Sequence, residues 1–258
     1  MAEYPDRIKR IFITKEVNDA GIYACQFYVN GEKRTVVVDD YFPYDPEKEV
    51  WAFSRPSFKT EIWVLILEKC WAKIFGSYQR IEAGTAGEAM YPLTGSPHKF
   101  LIHEDFTNKT YLWNRILMSD KMKFPMATAV ASQADEDLTR SDVKKAGLVD
   151  AHAYSLIGAK LVELDNGKNV RLIQIRNPWG KKEWSGDWSD KSSKWTPKTK
   201  AQVNFQDKND GTFWISFDDY IEFFYMTTIC FYSEKYEDTF LCDQHDVRSW
   251  GMVKFTNP

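Results

Sequence analysis

The stretch from Gly147 to Gly180 constrains the fold of this chain most strongly. It contains two strand-like apolar runs, Ala153 to Ile157 and Val170 to Ile175, separated by a turn at Asp165-Asn166-Gly167. An Asn-Gly turn between two such runs is typical of a β-hairpin. The sequence therefore predicts a pair of antiparallel strands whose outer ends lie side by side.

The outer ends of this hairpin carry His152 and Asn177, and Trp179 follows in Asn177-Pro178-Trp179-Gly180. An imidazole held by an amide oxygen beneath an indole is half of a cysteine-protease site. The amide orients the ring, the ring takes the thiol proton, and the indole excludes water. The alternative is a structural histidine in the core of a hairpin, which is the commoner role of a histidine on an apolar face. The Asn-Pro-Trp-Gly continuation favours the catalytic interpretation.

Three stretches resemble the protease core of the calpains, the calcium-dependent relatives of papain. GLVDAHAYS resembles the His segment of that family, IRNPWGKKEWSGDWSD resembles its Asn segment, and Thr60 to Tyr78 resembles the helix that closes its first subdomain. The resemblance covers roughly Ala2 to Tyr232. It implies an α+β fold, the papain-like cysteine protease core of two subdomains, with the first one truncated at its N-terminus.

The same resemblance divides the chain into three parts, with a hinge at Leu93-Thr94-Gly95-Ser96. Residues 1–95 are expected to be the remainder of the first core subdomain. Residues 96–232 are expected to form the second subdomain, which carries the histidine and the asparagine. Residues 233–258 resemble only the lead-in to a β-sandwich domain that this chain does not contain.

The family chemistry is hydrolysis of peptide bonds, and the resemblance assigns His152 as general base and acid, Asn177 as its orienter and Trp179 as the shield. The family nucleophile is a cysteine in a Gly-Asp-Cys-Trp motif, which is absent from this chain, as is the upstream oxyanion-donating glutamine. Ala2 to Ile11 resembles the segment just after the nucleophile-bearing helix. We therefore expect an intracellular calcium-dependent endopeptidase core without its nucleophile, inactive in isolation. The alternative is a non-catalytic homologue that binds calcium or a partner.

Acidic residues in two loops after the hairpin point to a hard cation, because carboxylates and carbonyl oxygens are the ligands of Ca²⁺. By resemblance, Glu183, Asp190 and Asp210 match carboxylate ligands of the second calpain calcium site, and Lys208 supplies a backbone carbonyl. Thr212 stands where the family usually has glutamate. Because affinity follows ligand charge, a weak or partial calcium site is expected.

Three further positions follow from the resemblance. Glu61 matches a ligand of the first calcium site, whose other ligands lie upstream of the missing cysteine; a plainer role is a carboxylate in the first turn of a helix. Residues 133–145 match a mobile loop flanking the cleft, although their charge alone is typical of a solvated loop. Ala151 replaces the glycine common in the family, and its methyl group is expected to narrow the cleft.

Composition sets the remaining limits. The chain has 258 residues, of which 43% are hydrophobic and 16% aromatic, as expected for a folded globular protein. A net charge of −3 gives no reason to expect nucleic acid or an anionic membrane as a partner, so the expected partners are protein or peptide substrates.

No apolar run is long enough for a transmembrane helix and the N-terminus is charged. The four scattered cysteines suggest reduced thiols and a cytoplasmic location. Nothing in the sequence indicates an oligomeric state.

Periodicity and turn residues predict the other elements. Cys25 and Cys70 are expected in the core, His98 and His103 on the surface, and Pro5 is expected to break a helix. The predicted strands lie at 21–40 around Asn30-Gly31, 125–132 and 226–232; the predicted helices at 61–75, 109–122 and 217–224; and the predicted loops or connectors at 41–57 and 79–97.

Overall fold

The computed structural model describes residues 3–56, 58, 60–130 and 140–234. Its helices are α1 (Pro5–Lys9), α2 (Trp63–Phe75), α3 (Ala86–Thr94), α4 (Lys109–Lys121), α5 (Arg140–Lys145), α6 (Pro197–Val203) and α7 (Phe217–Phe223). Its strands are β1 (Ile22–Val29), β2 (Glu32–Asp39), β3 (Tyr44–Asp45), β4 (Val50–Trp51), β5 (His98–Ile102), β6 (Met126–Ala129), β7 (Ala153–Glu163), β8 (Asn169–Arg176), β9 (Thr212–Ser216) and β10 (Met226–Cys230). This mixture confirms the predicted α+β class.

We call α1, α2 and β1–β4 the first lobe. The predicted hairpin around Asn30-Gly31 is confirmed: β1 and β2 pair antiparallel from Ile22↔Asp39 to Val29↔Glu32. Both turn residues have positive φ, as this tight connection requires. Helix α2 packs on the hairpin and ends at Gly76, whose φ of 96° suits a glycine C-cap. Cys25 and Cys70 lie in this core, fully buried.

We call β5–β10 with α4–α7 the second lobe. Its strands form one antiparallel six-stranded sheet in the order β5-β10-β6-β7-β8-β9. The predicted hairpin of β7 and β8 lies inside this sheet, so its apolar residues are covered by α4 and α7. Leu156, Ile173 and Ile175 are at most 3% exposed. The sheet thus provides a rigid support for the two ends of the hairpin.

Several predicted boundaries are wrong for local reasons. Pro5 begins α1 instead of breaking it, because the first helical position needs no amide donor. The connector at 79–97 contains α3, which begins with a capping box between Thr85 and Glu88. The stretch 41–57 contains the short pair β3 and β4, and the C-terminal part of the 133–145 loop is α5. The rest of that loop, 133–139, lies outside the described residues.

The prediction that His103 is a surface residue is wrong. Its side chain is 2% exposed. Its Nδ1 lies 2.5 Å from the carbonyl of Phe224, and its Nε2 lies 2.7 Å from the hydroxyl of Thr227. Burial lowers the pKa of His103 to about 4. His98, in β5, is half-buried.

No helix in the described ranges is both long and apolar enough to cross a membrane. Helix α3 packs against both β1 of the first lobe and β5 and β10 of the second. The subdomain boundaries drawn from the sequence stay predictions.

Candidate active site

The β7–β8 hairpin brings His152 and Asn177 into contact. His152 immediately precedes β7 and Asn177 immediately follows β8, beyond the paired residues Ser155 and Arg176. The Nε2 atom of His152 lies 3.0 Å from Oδ1 of Asn177. The backbone amide of Val130, at the end of β6, donates to the carbonyl of His152 at 3.0 Å. The ring is therefore held by Asn177 and the backbone of His152 by Val130.

The hydrogen bonds of Asn177 determine which ring nitrogen carries the proton. Asn177 is fully buried. Its Nδ2 donates to the carbonyl of Lys182 at 3.1 Å, and its Oδ1 accepts from the amide of Trp179 at 3.1 Å. The oxygen therefore faces His152, and Nε2 must be the donor. In the neutral imidazole this leaves Nδ1 as the basic nitrogen, and no hydrogen bond to Nδ1 forms within the described part of the chain.

The backbone around Asn177 is held by a glycine in the next loop. The amide of Asn177 donates to the carbonyl of Gly211 at 2.8 Å, and the amide of Gly180 donates to the carbonyl of Asn177 at 2.9 Å. Gly211 has a φ of 86°, and a Cβ atom there would lie 2.7 Å from the carbonyl oxygen of Asn177. Only glycine fits this contact.

Trp179 lies over the imidazole. The ring centroids of His152 and Trp179 are 4.3 Å apart with an interplanar angle of 41°. Trp179 is 54% exposed, so one side of the indole covers the ring and the rest faces solvent. Tyr154 meets the imidazole edge-on at 4.9 Å, and its hydroxyl accepts from the amide of Val149 at 2.7 Å. The imidazole is thus confined by two aromatic rings and one amide.

Comparison with known proteins assigns the chain to a family. The calpain family cysteine protease domain matches residues 1–231. The chain belongs to the calpain family of cysteine proteases.

Individual relatives give the same result. The chain is 38% identical over 237 residues to the calpain-type cysteine protease DEK1 of Zea mays, covering 87% of this chain and 10% of that protein. It is 36% identical over 219 residues to calpain clp-1 of Caenorhabditis elegans, covering 83% of this chain and 27% of that protein. It is 36% identical over 214 residues to the calpain-1 catalytic subunit of Bos taurus, covering 82% of this chain and 29% of that protein. The chain therefore spans between a tenth and a third of the length of these relatives. The papain-like fold expected for a calpain core is confirmed with the family.

The three described thiols of this calpain-family chain are all buried. Cys25 and Cys70 are buried together in the first lobe, and the hydrogen bond to Cys70, with burial, raises the pKa of the Cys25 thiol. Cys230 is buried in β10, and burial raises its pKa as well. A nucleophilic cysteine needs an accessible thiol with a lowered pKa. None of the three described cysteines meets both conditions; Cys242 lies outside the described residues.

The calcium ligands predicted by resemblance are near one another but do not form a closed site. Oε1 of Glu183 accepts from the amide of Gly211 at 2.7 Å, and Oδ1 of Asp210 accepts from the amide of Thr212 at 2.9 Å. The carbonyl of Lys208 accepts from the amide of Asp210 at 3.0 Å. Among the described residues, no group of three His, Cys, Asp or Glu side chains is arranged to hold a metal ion.

The charges of these loops nevertheless suit a cation. Burial raises the pKa of Asp190 to about 6, and the carboxylates of Glu183, Asp207 and Asp210 add to the rise. Carboxylate and carbonyl oxygens are the donor types that Ca²⁺ takes, but to bind it here they would have to exchange their present hydrogen bonds for metal contacts.

Glu61 does not lie where the sequence predicted. It precedes Ile62, the N-cap of α2, so it is outside the first turn of the helix. Its amide donates to the carbonyl of Phe58 at 3.0 Å in that lead-in segment. The prediction began the helix two residues too early, since Ile62 at the N-cap provides no side-chain hydrogen bond that would mark the start of the helix. A role for Glu61 at a first calcium site stays a prediction.

Other residues of the site carry no recognisable signal in the sequence. The carbonyl of Lys182, the glycine at 211 and Tyr154 all support the His152–Asn177 pair. Asp210-Gly211 is a turn signal that marked a loop without indicating its contact with Asn177. The sequence singles out Ala151 for its methyl group, but its φ of 50° is the more specific feature, since this conformation favours glycine. Its side chain is exposed.

Proposed function

We propose that this chain supplies the His–Asn half of a calpain-type cysteine endopeptidase that carries out limited proteolysis inside cells. The bond between His152 Nε2 and Asn177 Oδ1 supports this most directly. It leaves Nδ1 as the base that takes the proton from a cysteine thiol. The nucleophile is proposed to come from a segment outside this chain, because the described thiols are buried.

The reaction would follow the chemistry of thiol proteases. His152 takes the thiol proton, the thiolate attacks the peptide carbonyl, and the imidazolium returns the proton to the departing amine. Water, deprotonated by the same imidazole, then hydrolyses the acyl-enzyme. Asn177 holds the ring in place through both steps, and Trp179 shields the bond between them. Protein or peptide segments are the proposed substrates. The three described free thiols favour a reducing, cytoplasmic compartment.

The first test is the activity of the chain with and without a nucleophile. We expect no turnover of a fluorogenic peptide by the isolated chain in the presence of calcium and reductant, because the covalent step lacks its thiolate. Activity should return when a calpain nucleophile-bearing segment is fused ahead of residue 1. Cys25→Ala and Cys70→Ala are the controls. Turnover by the isolated chain that either substitution abolishes would contradict the proposal. Persistent inactivity of the folded fusion would favour the non-catalytic alternative.

We further propose that the acidic loops bind Ca²⁺ weakly, with Glu183, Asp190 and Asp210 as carboxylate ligands and Lys208 as a carbonyl ligand. A bound cation would offset the mutual repulsion of the carboxylates and tie the two loops together. With Thr212 in place of glutamate, saturation should need roughly 0.1–1 mM calcium.

Calorimetric titration and thermal unfolding would measure this binding. A tenfold excess of calcium over Kd should stabilise the fold by about 1.4 kcal/mol, or roughly 3 °C. Thr212→Glu should tighten binding and Asp210→Asn should weaken it. Asp218→Asn, in α7 outside the loops, is the matched control. Absence of binding at millimolar calcium, or equal affinity of Asp210→Asn and the unsubstituted protein, would refute the site.

A further inference from the structure

The segment from Glu3 to Arg7 is bound to the second lobe at both ends. Oε1 of Glu3 lies 2.8 Å from Nη1 of Arg176, the residue before Asn177. At the other end, Nη1 of Arg7 donates to the carbonyl of Lys123, just after α4, at 2.8 Å. The start of the first lobe is thus bound to the second lobe next to Asn177.

Arg7 makes contacts with several residues from distant parts of the chain. Its side chain is 3% exposed. Its Nε and Nη2 donate to the two carboxylate oxygens of Glu234 at 2.5 Å and 3.2 Å. Its guanidinium lies 4.2 Å from the ring centroid of Tyr4 and 5.2 Å from that of Tyr232. A buried guanidinium is retained only where its donors are satisfied, and the planar fork of arginine matches a carboxylate in a way that lysine cannot.

Few features other than the contacts of Arg7 hold helix α1 against the second lobe. It is five residues long, has no side-chain N-cap, and Arg7 is the only one of its residues that is buried. Ile8, with Ile11 after the helix, packs into the first-lobe core. Consecutive residues of one short helix therefore face different lobes.

We infer that Arg7, paired with Glu234, is a positioning residue that aligns the leading segment of the first lobe with the lobe carrying His152 and Asn177. The inference rests on the proposed function, since the segment around α1 resembles the one that follows the nucleophile-bearing helix. A shift of α1 would displace an incoming thiol from Nδ1 of His152. A displacement of about 1 Å is enough to cost roughly a hundredfold in rate.

Amide hydrogen exchange on this chain tests the alignment without requiring activity. In Arg7→Met, which keeps an unbranched stem but removes the guanidinium, we expect amide exchange to quicken by about tenfold at residues 7–13 and 123–126. The partial exposure of Glu234 limits the effect. Glu234→Gln and Arg7→Lys should give smaller changes at the same residues. The β1–β2 and β7–β8 hairpins should keep their protection. Lys9→Met is the matched control, because Lys9 in the same helix forms only an exposed pair with Asp6.

Two exchange outcomes would overturn the inference: no difference between Arg7→Met and Lys9→Met, or a uniform rise across both lobes, which would indicate a loss of global stability alone. In the fusion that carries a nucleophile, Arg7→Met should lower kcat by roughly a hundredfold with KM unchanged, and Arg7→Lys should recover part of the loss. Unchanged kcat in an active fusion would overturn the positioning role. If the unsubstituted fusion is inactive, the proposed function fails, and the exchange data still decide whether Arg7 aligns the lobes.

Discussion

His152→Ala should reduce kcat of the nucleophile-bearing fusion by about four orders of magnitude or more, because no other group takes the thiol proton. Asn177→Ala should reduce kcat less, by about a hundredfold, since the amide orients the ring and does not itself transfer a proton. Initial rates on a fluorogenic peptide, with reductant and calcium present, measure both effects. This difference follows from the geometry, because Asn177 contacts the ring only through the hydrogen bond from Nε2 of His152 to its Oδ1.

The control for this experiment is His98→Ala, which removes another half-buried imidazole from the same lobe. His98 lies in β5, so its loss should leave kcat within about threefold of the unsubstituted fusion. Near-UV circular dichroism of each variant establishes that it is folded. Equal activity of the unsubstituted fusion and His152→Ala would show that the assignment of the base is wrong.

The stability of the chain should fall as the pH is lowered from 6.5 to 4, in part because of His103. Its pKa in the folded state is about 4, below the ordinary value of 6.5, because the ring is buried. The unfolded chain therefore binds the proton more tightly, and acidification favours unfolding. The contribution is intact above pH 6.5, is lost progressively below that value, and reaches its full cost near pH 4. At pH 5 it should amount to about 2 kcal/mol.

Urea unfolding of the unsubstituted protein and His103→Gln at several pH values would measure this contribution. The variant should be less stable at pH 7, because the contacts with Phe224 and Thr227 are disturbed. Its stability should nevertheless fall less steeply between pH 6.5 and 4. His98→Gln is the control and should keep the steep profile. Parallel profiles for the unsubstituted protein and His103→Gln would contradict a buried neutral imidazole.

The calcium loops and the thiols show how far sequence reasoning reached. The composition of the loops indicated a cation, but the structure has Glu183 and Asp210 bonded to backbone amides. Such hydrogen bonds depend on the backbone conformation of the loops, which cannot be predicted from their amino-acid composition. The core positions of Cys25 and Cys70 followed from strand and helix periodicity, whereas their contact with each other needed the packing of α2 on β1.

The sequence by itself determined the elements whose signals are local. The Asn-Gly turns, the apolar alternation of β7 and β8 and the glycine that ends α2 each lie within a few neighbouring residues, so short-range sterics and hydrogen bonding suffice to specify them. The contact between His152 and Asn177 follows from the hairpin, since pairing of its strands aligns their ends. The family was also recognisable from these same segments.

Only the tertiary structure decided whether His103 and Arg7 are buried or exposed. His103 is satisfied by Phe224, 121 positions away, and Arg7 by Lys123 and Glu234, 116 and 227 positions away. A histidine or arginine in a charged stretch is normally exposed, because burying it without partners costs several kcal/mol. Burial became favourable here because the fold brings distant acceptors to each ring or guanidinium nitrogen. The residues next to His103 and Arg7 in the sequence do not predict those partners.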